Sequence, residues 1–490
     1  MTIGTLSGES TSKARSLICI ADPGNDLKKA AGILESKSAE GDPEAQYLYG
    51  LFLFTGAGGV QEDRKAAVEL FELSAAAGCV PASIVSREAS KNAECSEFSE
   101  LLKLRLRGER RDVDACRKLF GVYENGEPPA SKDHVEAVRW YTVCAEEDDA
   151  EAQNTVGFMH LMGKGVKKDR EKAVYWLKKA SVAGNAEAMF RLADMYDAGL
   201  CNTAPDMKEA VKWYQSAAEA GSADAQYRLA VLHLTPKTKL HDEKKALKCL
   251  EAAAAGGHAE AQHQLGMILA YGRGIKRDPI RAVEMLEASC GSGYQQAMVD
   301  YANMRFDGEA IPQDYSKAAE WFQKAADSCN GYAQYALACM HSNGCHFEPD
   351  DSVAAKYFRE AAEMGEVNAQ YALATFYHEG RGVEKDRKEA AVWFDQAADQ
   401  GHPGAKAFLG MMLITGDGIE RNIEEGVKRL KESADSGYYE GQYYLGKLYA
   451  EGNIVKKDMH LAKRYLSLAA GQGDPDAIAL LEKIRAGKPR

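Results

Sequence analysis

The residues best suited to do chemistry lie between Cys329 and His346, where Cys339-Met-His341-Ser-Asn-Gly-Cys345-His346 follows Cys329 by ten residues. Two thiolates and two imidazoles are a donor set for tetrahedral zinc. Elsewhere the sequence offers little of this kind. Gly163-Lys-Gly-Val has glycine where a phosphate-binding loop needs its hydroxyl residue. There is no His-Glu-x-x-His pair and no Gly-x-Ser-x-Gly elbow. The acidic pairs fall on exposed helix faces, where they read as a solvated salt-bridge surface.

What must position any of these groups is a repeat. Asp169-Arg-Glu-Lys-Ala-Val-Tyr-Trp-Leu-Lys-Lys-Ala runs to Gly184, and Asn185-Ala-Glu-Ala-Met-Phe-Arg-Leu-Ala-Asp-Met-Tyr follows. That is one helix, a glycine stop and a second helix. The glycine returns at Gly221, Gly257, Gly293, Gly365, Gly401, Gly437 and Gly473, with Cys329 in the one gap. The steps are 37 residues once and 36 otherwise, and a fixed period of this size marks a solenoid.

Counting back from each boundary finds Asp26, Asp63, Ser96, Asp133, Asp169, Asp206, Asp242, Asp278, Asp314, Asp350, Asp386, Asn422 and Asp458. Each is expected to cap a helix, here called B, by accepting from the free N–H groups of its first turn. Four residues on comes alanine, as at Ala137, Ala173 and Ala210, small enough for close helix approach. Three further stand Trp140, Trp176, Trp213, Trp321 and Trp393, each followed by an apolar residue. Apolar spacings of three and four predict a buried stripe, so the tryptophans read as core.

The second, or A, helices carry Ala188, Ala225, Ala261, Ala297, Ala333 and Ala369, with Leu or Tyr four residues on. Each ends near a glycine that can take the left-handed stop conformation. In this register His341 falls where other repeats place Tyr196 or His233, and Cys339 falls on the face of its A helix. The cluster therefore reads as packing, with no metal and no cofactor expected. Zinc is the competing reading.

The net charge is −12, spread along the helices, and such a chain is repelled by a phosphate backbone. Nucleic acid is not expected as a partner. No apolar run is long enough to span a membrane, and Met1–Ser16 has no apolar core, so no cleaved signal peptide is expected. The eleven cysteines are irregularly placed and there is no Asn-x-Ser/Thr sequon. Both features point to a reducing compartment, the cytosol.

The A-x-x-x-L-[GA]-x-x-[YH] helix, the G-x-G-V-x-x-D-x-x-K-A loop and the W-[FLY]-x-x-A-A-x-x-G close are legible in 163–199 and 380–401. Together they resemble the Sel-one-like repeat family, a relative of the tetratricopeptide repeat, over about 26–485. The resemblance implies an all-α, right-handed solenoid of about twelve to thirteen helix pairs, with A helices on the concave wall. A tail or imperfect cap is expected over 1–25, the repeats over 26–472, and a capping helix and tail over 473–490. Family members act as adaptors in protein complexes, in membrane-protein quality control, in activating cell-wall synthases and in bacterial host interaction. Secreted members carry a disulfide in each repeat, and this sequence departs from them.

By analogy with tetratricopeptide geometry, the residue two after the A-helix alanine faces the groove, with further inward positions four and seven residues on. Those positions hold Tyr47, Phe190, Tyr227, His263, Tyr335, Tyr371 and Tyr443, then Asp194, Asn303 and Lys447, then Asp197 and His378. Tyrosine joins a large apolar face to a hydroxyl and is typical of residues that dominate binding. The competing reading has these side chains lean onto the next repeat.

Three places break the register: the short unit 78–110, Pro236 in place of a loop glycine, and Cys329. The short unit ends in Lys103-Leu-Arg-Leu-Arg-Gly-Glu-Arg-Arg, either a docking patch for an acidic partner or a solvated helix end. The expected function is a non-catalytic scaffold for protein or peptide partners. The competing class is a secreted or envelope-associated bacterial member that binds or hydrolyses a cell-wall-type ligand; such proteins usually carry a secretory signal and paired cysteines.

Overall fold

The computed structural model describes residues 9–19, 25–92, 95–200, 204–236, 240–485 and 487. Lys237, Thr238 and Lys239, in the break beside Pro236, lie outside them. Among the described residues there are twenty-seven α-helices, one 3-10 turn and no strand. They fall into two compact units, 1–256 and 257–490.

The first unit opens with α1 (Glu9–Cys19) and α2 (Asn25–Ala39). Then come α3 (Pro43–Thr55), α4 (Arg64–Ala76), α5 (Val80–Asn92), α6 (Ser96–Glu109), α7 (Val113–Asn125) and α8 (His134–Glu146). It continues with α9 (Ala150–Met162), α10 (Arg170–Val182), α11 (Ala186–Asp197), α12 (Met207–Glu219), α13 (Ala223–Leu234) and α14 (Glu243–Ala255).

The second unit holds α15 (Ala259–Tyr271), α16 (Pro279–Gly291), α17 (Gln295–Asp307), α18 (Tyr315–Asp327), α19 (Gly331–Asn343) and α20 (Asp351–Glu363). It ends with α21 (Val367–Glu379), α22 (Arg387–Asp399), α23 (Pro403–Thr415), α24 (Ile423–Asp435), α25 (Tyr439–Glu451), α26 (Met459–Gly471) and α27 (Pro475–Arg485). From α3 onward, odd helices are A and even helices are B.

The caps explain where the B helices start. Asp63, Asp133, Asp169, Asp206, Asp242, Asp278, Asp314, Asp350, Asp386, Asn422 and Asp458 each accept from first-turn N–H groups at 2.9–3.2 Å. Two expected caps differ. Ser96 is the first helical residue of α6, behind Cys95, which makes no side-chain cap bond. Asp26 is the second residue of α2 rather than its cap, and its side chain lies outside the described residues.

Within each unit an A helix packs on the B helix after it, and that B helix on the next A helix. The alanines make this close approach possible: Ala173, Ala210, Ala188 and Ala225 have no exposed surface. Leu192, Leu265, Leu337 and Leu373 fill the seam between them, each burial worth about 1.5–3 kcal/mol. Trp140, Trp176 and Trp321 are buried, whereas Trp213 and Trp393 are half-buried, so the core reading holds for three of the five.

At Gly184 the backbone sits at φ +89° in open space, so conformation alone demands glycine there. Cys329 takes the same left-handed turn at φ +62°. The short unit departs further. With only residues 93–95 between α5 and α6, the two do not form a packed hairpin; α6 lies on α3 and α7 instead.

Candidate partner-binding face

The A-helix register places Tyr335 on α19, Tyr371 on α21 and Tyr443 on α25, all half-buried. Tyr335 sits 5.8 Å from the Phe358 ring and 6.3 Å from Tyr332, which is 39% exposed. The Tyr332 hydroxyl donates to Asn303 Oδ1 at 3.0 Å, so Asn303 is joined to the next A helix. Tyr371 stacks on His402 at 4.4 Å and lies 6.1 Å from Phe408. His378 lies 6.5 Å from Phe408 and 3.9 Å from the Asp417 carboxylate. Tyr443 lies 5.2 Å from Tyr444, with the Lys447 ammonium 5.9 Å from its ring.

His263 on α15 is held by Asp300 at 2.9 Å and faces Tyr294 at 5.5 Å. In the first unit, Phe190 packs on the buried Tyr214 at 5.9 Å. The Tyr214 hydroxyl donates to Asp194 at 2.5 Å and reaches Asp197 at 3.5 Å. Burial raises the Asp194 carboxyl above the ordinary range despite that bond. Tyr227 is half-buried on α13.

Tyr47 is a correction. It is 1% exposed and its phenol is pushed up to about 12 by burial, so it offers no surface to a partner. The reason is α6, which covers α3 and brings Arg105 with it. Arg105, fully buried, bonds Glu136 at 2.8 Å, the Tyr47 hydroxyl at 3.3 Å and the Tyr123 hydroxyl. Tyr47 donates to Glu109 at 3.1 Å, and Arg139 bridges Glu109 to Glu136. Trp140 donates to Glu136 at 3.1 Å, and Tyr123 donates to Glu88 at 3.2 Å. Burial lifts the Glu88 carboxyl to about 7.

Four of the basic residues of the expected patch have partners within the chain. Lys103 pairs with Glu100, Arg107 with Asp112, and Arg111 with Glu146 and Glu147, while Arg105 is inside. An acidic partner would have to displace these bonds. In the cysteine-histidine segment, His341 stacks on Phe347 at 3.9 Å and on Tyr357 at 5.6 Å. Cys339 packs in the core cluster with Tyr335. Among the described residues, no three His, Cys, Asp or Glu side chains are grouped to hold a metal ion.

Sequence reasoning missed the residues just before the A helices of the second unit. His258, Tyr294, Asn330, Glu366, His402 and Tyr438 occupy these cap positions at intervals of 36 residues. In the first unit the same place holds Asp42, Asp112, Asp149, Asn185 and Ser222, each bonded to its helix. Tyr294 and Tyr438 make no cap bond; the Tyr294 ring turns toward α15, and Tyr438 reaches Tyr371 on α21. The signal was present as a second periodic column beside the glycines.

Comparison with known proteins matches this architecture. The Sel1 repeat family model matches 43–79, 113–149, 150–185, 186–222, 223–258, 259–294, 295–328, 331–366, 367–402, 403–438 and 440–474. The stretch holding α5 and α6 falls between matches. The chain is similar to the Chitin synthase regulator SKT5 of Saccharomyces cerevisiae, 29% identical over 188 residues. That alignment takes in 36% of this chain and 27% of the yeast protein, so the chain spans about a quarter of its relative's length.

Among solved structures it resembles c5321, a protective antigen of uropathogenic Escherichia coli with an SLR fold. The TM-score is 0.59 at 24% identity, covering 94% of this chain and 98% of that one, a likeness of fold alone. A Sel1 repeat protein from Oxalobacter formigenes gives a TM-score of 0.53 at 26% identity over 67% of this chain and 93% of that one. Helix pairs stacked at a 36-residue period, with the family's matches along most of their length, place the chain in the Sel1 repeat family.

Proposed function

We propose that the chain is a non-catalytic scaffold or adaptor of the cytosol that holds protein or peptide partners on the A-helix face of its repeats. Proteins built from Sel1 repeats typically serve as protein-interaction scaffolds, and the similarity to a yeast enzyme regulator supports a protein that acts on another protein. The observation that carries the reading is the set of partly open rings on α19, α21 and α25. Tyr332 and Tyr439 are 39% and 38% exposed, beside half-buried Tyr335, Tyr371 and Tyr443. Rings with a polar tip in such places are suited to a partner that is partly apolar and partly polar.

The test is the double substitution Tyr335→Ala with Tyr371→Ala, scored for partner recovery from native extracts and for melting temperature. Lost partners with an unchanged melting temperature support the reading. Undiminished recovery, or collapse of the fold, assigns the rings to packing between repeats.

A further inference from the structure

We propose that the cluster formed by Tyr371, His402, Tyr438, Tyr439 and Glu440 is a docking point for a lysine- or arginine-bearing segment of a partner protein. The proposal rests on the scaffold reading and names the chemistry of its partner. Tyr371 projects from α21 and stacks on His402, the cap of α23. Its hydroxyl bonds that of Tyr438, which precedes α25 and lies 5.4 Å from the Tyr439 ring. Three successive A helices thus meet in one patch of rings.

The rings surround a carboxylate that is not fully used. The Tyr438 and Tyr439 hydroxyls donate to the Glu440 carboxylate, whose Oε2 is the buried oxygen left without a partner. A buried oxygen of this kind is costly unless something donates to it. An ammonium or guanidinium group supplies that donor, and the tyrosine faces attract the same cation.

The surroundings are anionic and their cations are engaged. Glu379 acts on Tyr371, Asp474 on Tyr439, and Asp476 on Tyr443 and Tyr444. Helix α21 carries no lysine or arginine. Lys406 of α23 is paired with Glu432 at 2.9 Å, and Lys447 of α25 lies over the Tyr443 ring. His402 contributes no positive charge. Its Nδ1 accepts from the Ala405 N–H at 3.1 Å, which requires the neutral ring, and burial depresses its pKa. Charge complementarity therefore selects a basic segment over an acidic one.

The full chain is titrated with fluorescein-labelled short peptides, one rich in lysine and arginine, one in glutamate, one in serine and glycine, and anisotropy is read at low and moderate salt. The basic peptide should bind, and weaken with salt. Glu440→Gln should reduce its affinity about tenfold at unchanged melting temperature, the order expected for removing one charge partner. Tyr439→Ala should weaken it as well. Glu219→Gln removes the same charge from an exposed position on α12 and should leave affinity unchanged.

Equal effects of Glu440→Gln and Glu219→Gln, or equal binding of the acidic peptide, overturn the proposal. In that event, partner loss in the Tyr335→Ala, Tyr371→Ala variant leaves the scaffold reading standing. Undiminished partner recovery in that variant overturns the scaffold reading too.

Discussion

Tyr47 and Tyr371 occupy the same place in their repeats, two residues beyond the small residue of an A helix, and meet opposite fates. Tyr47 is sealed under α6 against the Arg105 guanidinium. Tyr371 is stacked on an imidazole and half-open. The register decides which way a side chain points; the neighbouring element decides whether it meets solvent. In the first unit the shortened repeat lays α6 across α3 and surrounds Tyr47 with ions. In the regular repeats of the second unit Tyr335, Tyr371 and Tyr443 lie half-buried among other rings.

The cap positions extend the contrast. The first unit starts α3, α7, α9, α11 and α13 with short side chains that accept from the backbone, as Asn330 and Asp474 do in the second. The second also places rings there, His402 before α23 and Tyr438 before α25, and Tyr438 forgoes the bond. A missing cap costs about 1 kcal/mol, so the ring must contribute elsewhere.

Breaking the buried network should give the largest effect. Arg105→Ala takes the 2.8 Å partner from buried Glu136, which keeps only the Arg139 cation at 3.4 Å, and a neighbouring cation from buried Glu88, and should cost about 3–5 kcal/mol. Hydrogen exchange should show protection lost in α3 and α6–α8 and retained in 257–490. A cost no larger than that of a surface substitution would erase the distinction between the units.

Glu88 gives the next effect and a pH signature. Its carboxyl is raised from the ordinary 4.5 to about 7, so folding favours the neutral acid. This stabilisation is complete below about 4.5 and is lost as pH rises through about 7, a swing of about 3 kcal/mol. Glu88→Gln should therefore remove the pH dependence of first-unit stability in that window and stabilise the unit above pH 7. Urea titrations of both proteins at pH 5 and pH 8 check it, and parallel pH profiles would sink the assignment.

The smallest effects come from caps. Asp386→Ala should cost about 1 kcal/mol, read as faster exchange at the start of α22. Tyr438→Asn should do the reverse, supplying the acceptor that α25 lacks and slowing exchange there by a few tenths to 1 kcal/mol. Faster exchange instead would mean that the Tyr438 ring holds α25 more firmly than a cap could.

Much of the fold could be read directly from particular residues. Asp169, Ala173, Trp176 and Gly184 each have a local reason for their place: a cap, a close approach, a buried stripe, a left-handed turn. Such causes act within one or two turns of chain, so they show in sequence. The candidate face was legible only in part. Tyr335 and Tyr371 were found by register, while Tyr332, at the second position of α19, was not singled out, and His402 and Tyr438 were missed because a cap column is ordinarily read for acceptors, not rings.

The sequence alone determined the all-helical repeat and its period, because these follow from local backbone chemistry repeated along the chain. Only the tertiary structure decided exposure. That Arg105 and Arg111 are spent on ion pairs with α8 and its end, that α6 covers Tyr47, and that Tyr371, His402 and Tyr438 meet depend on groups 30 or more residues apart. Contacts across that distance are set by how helices stack, and no local pattern encodes them.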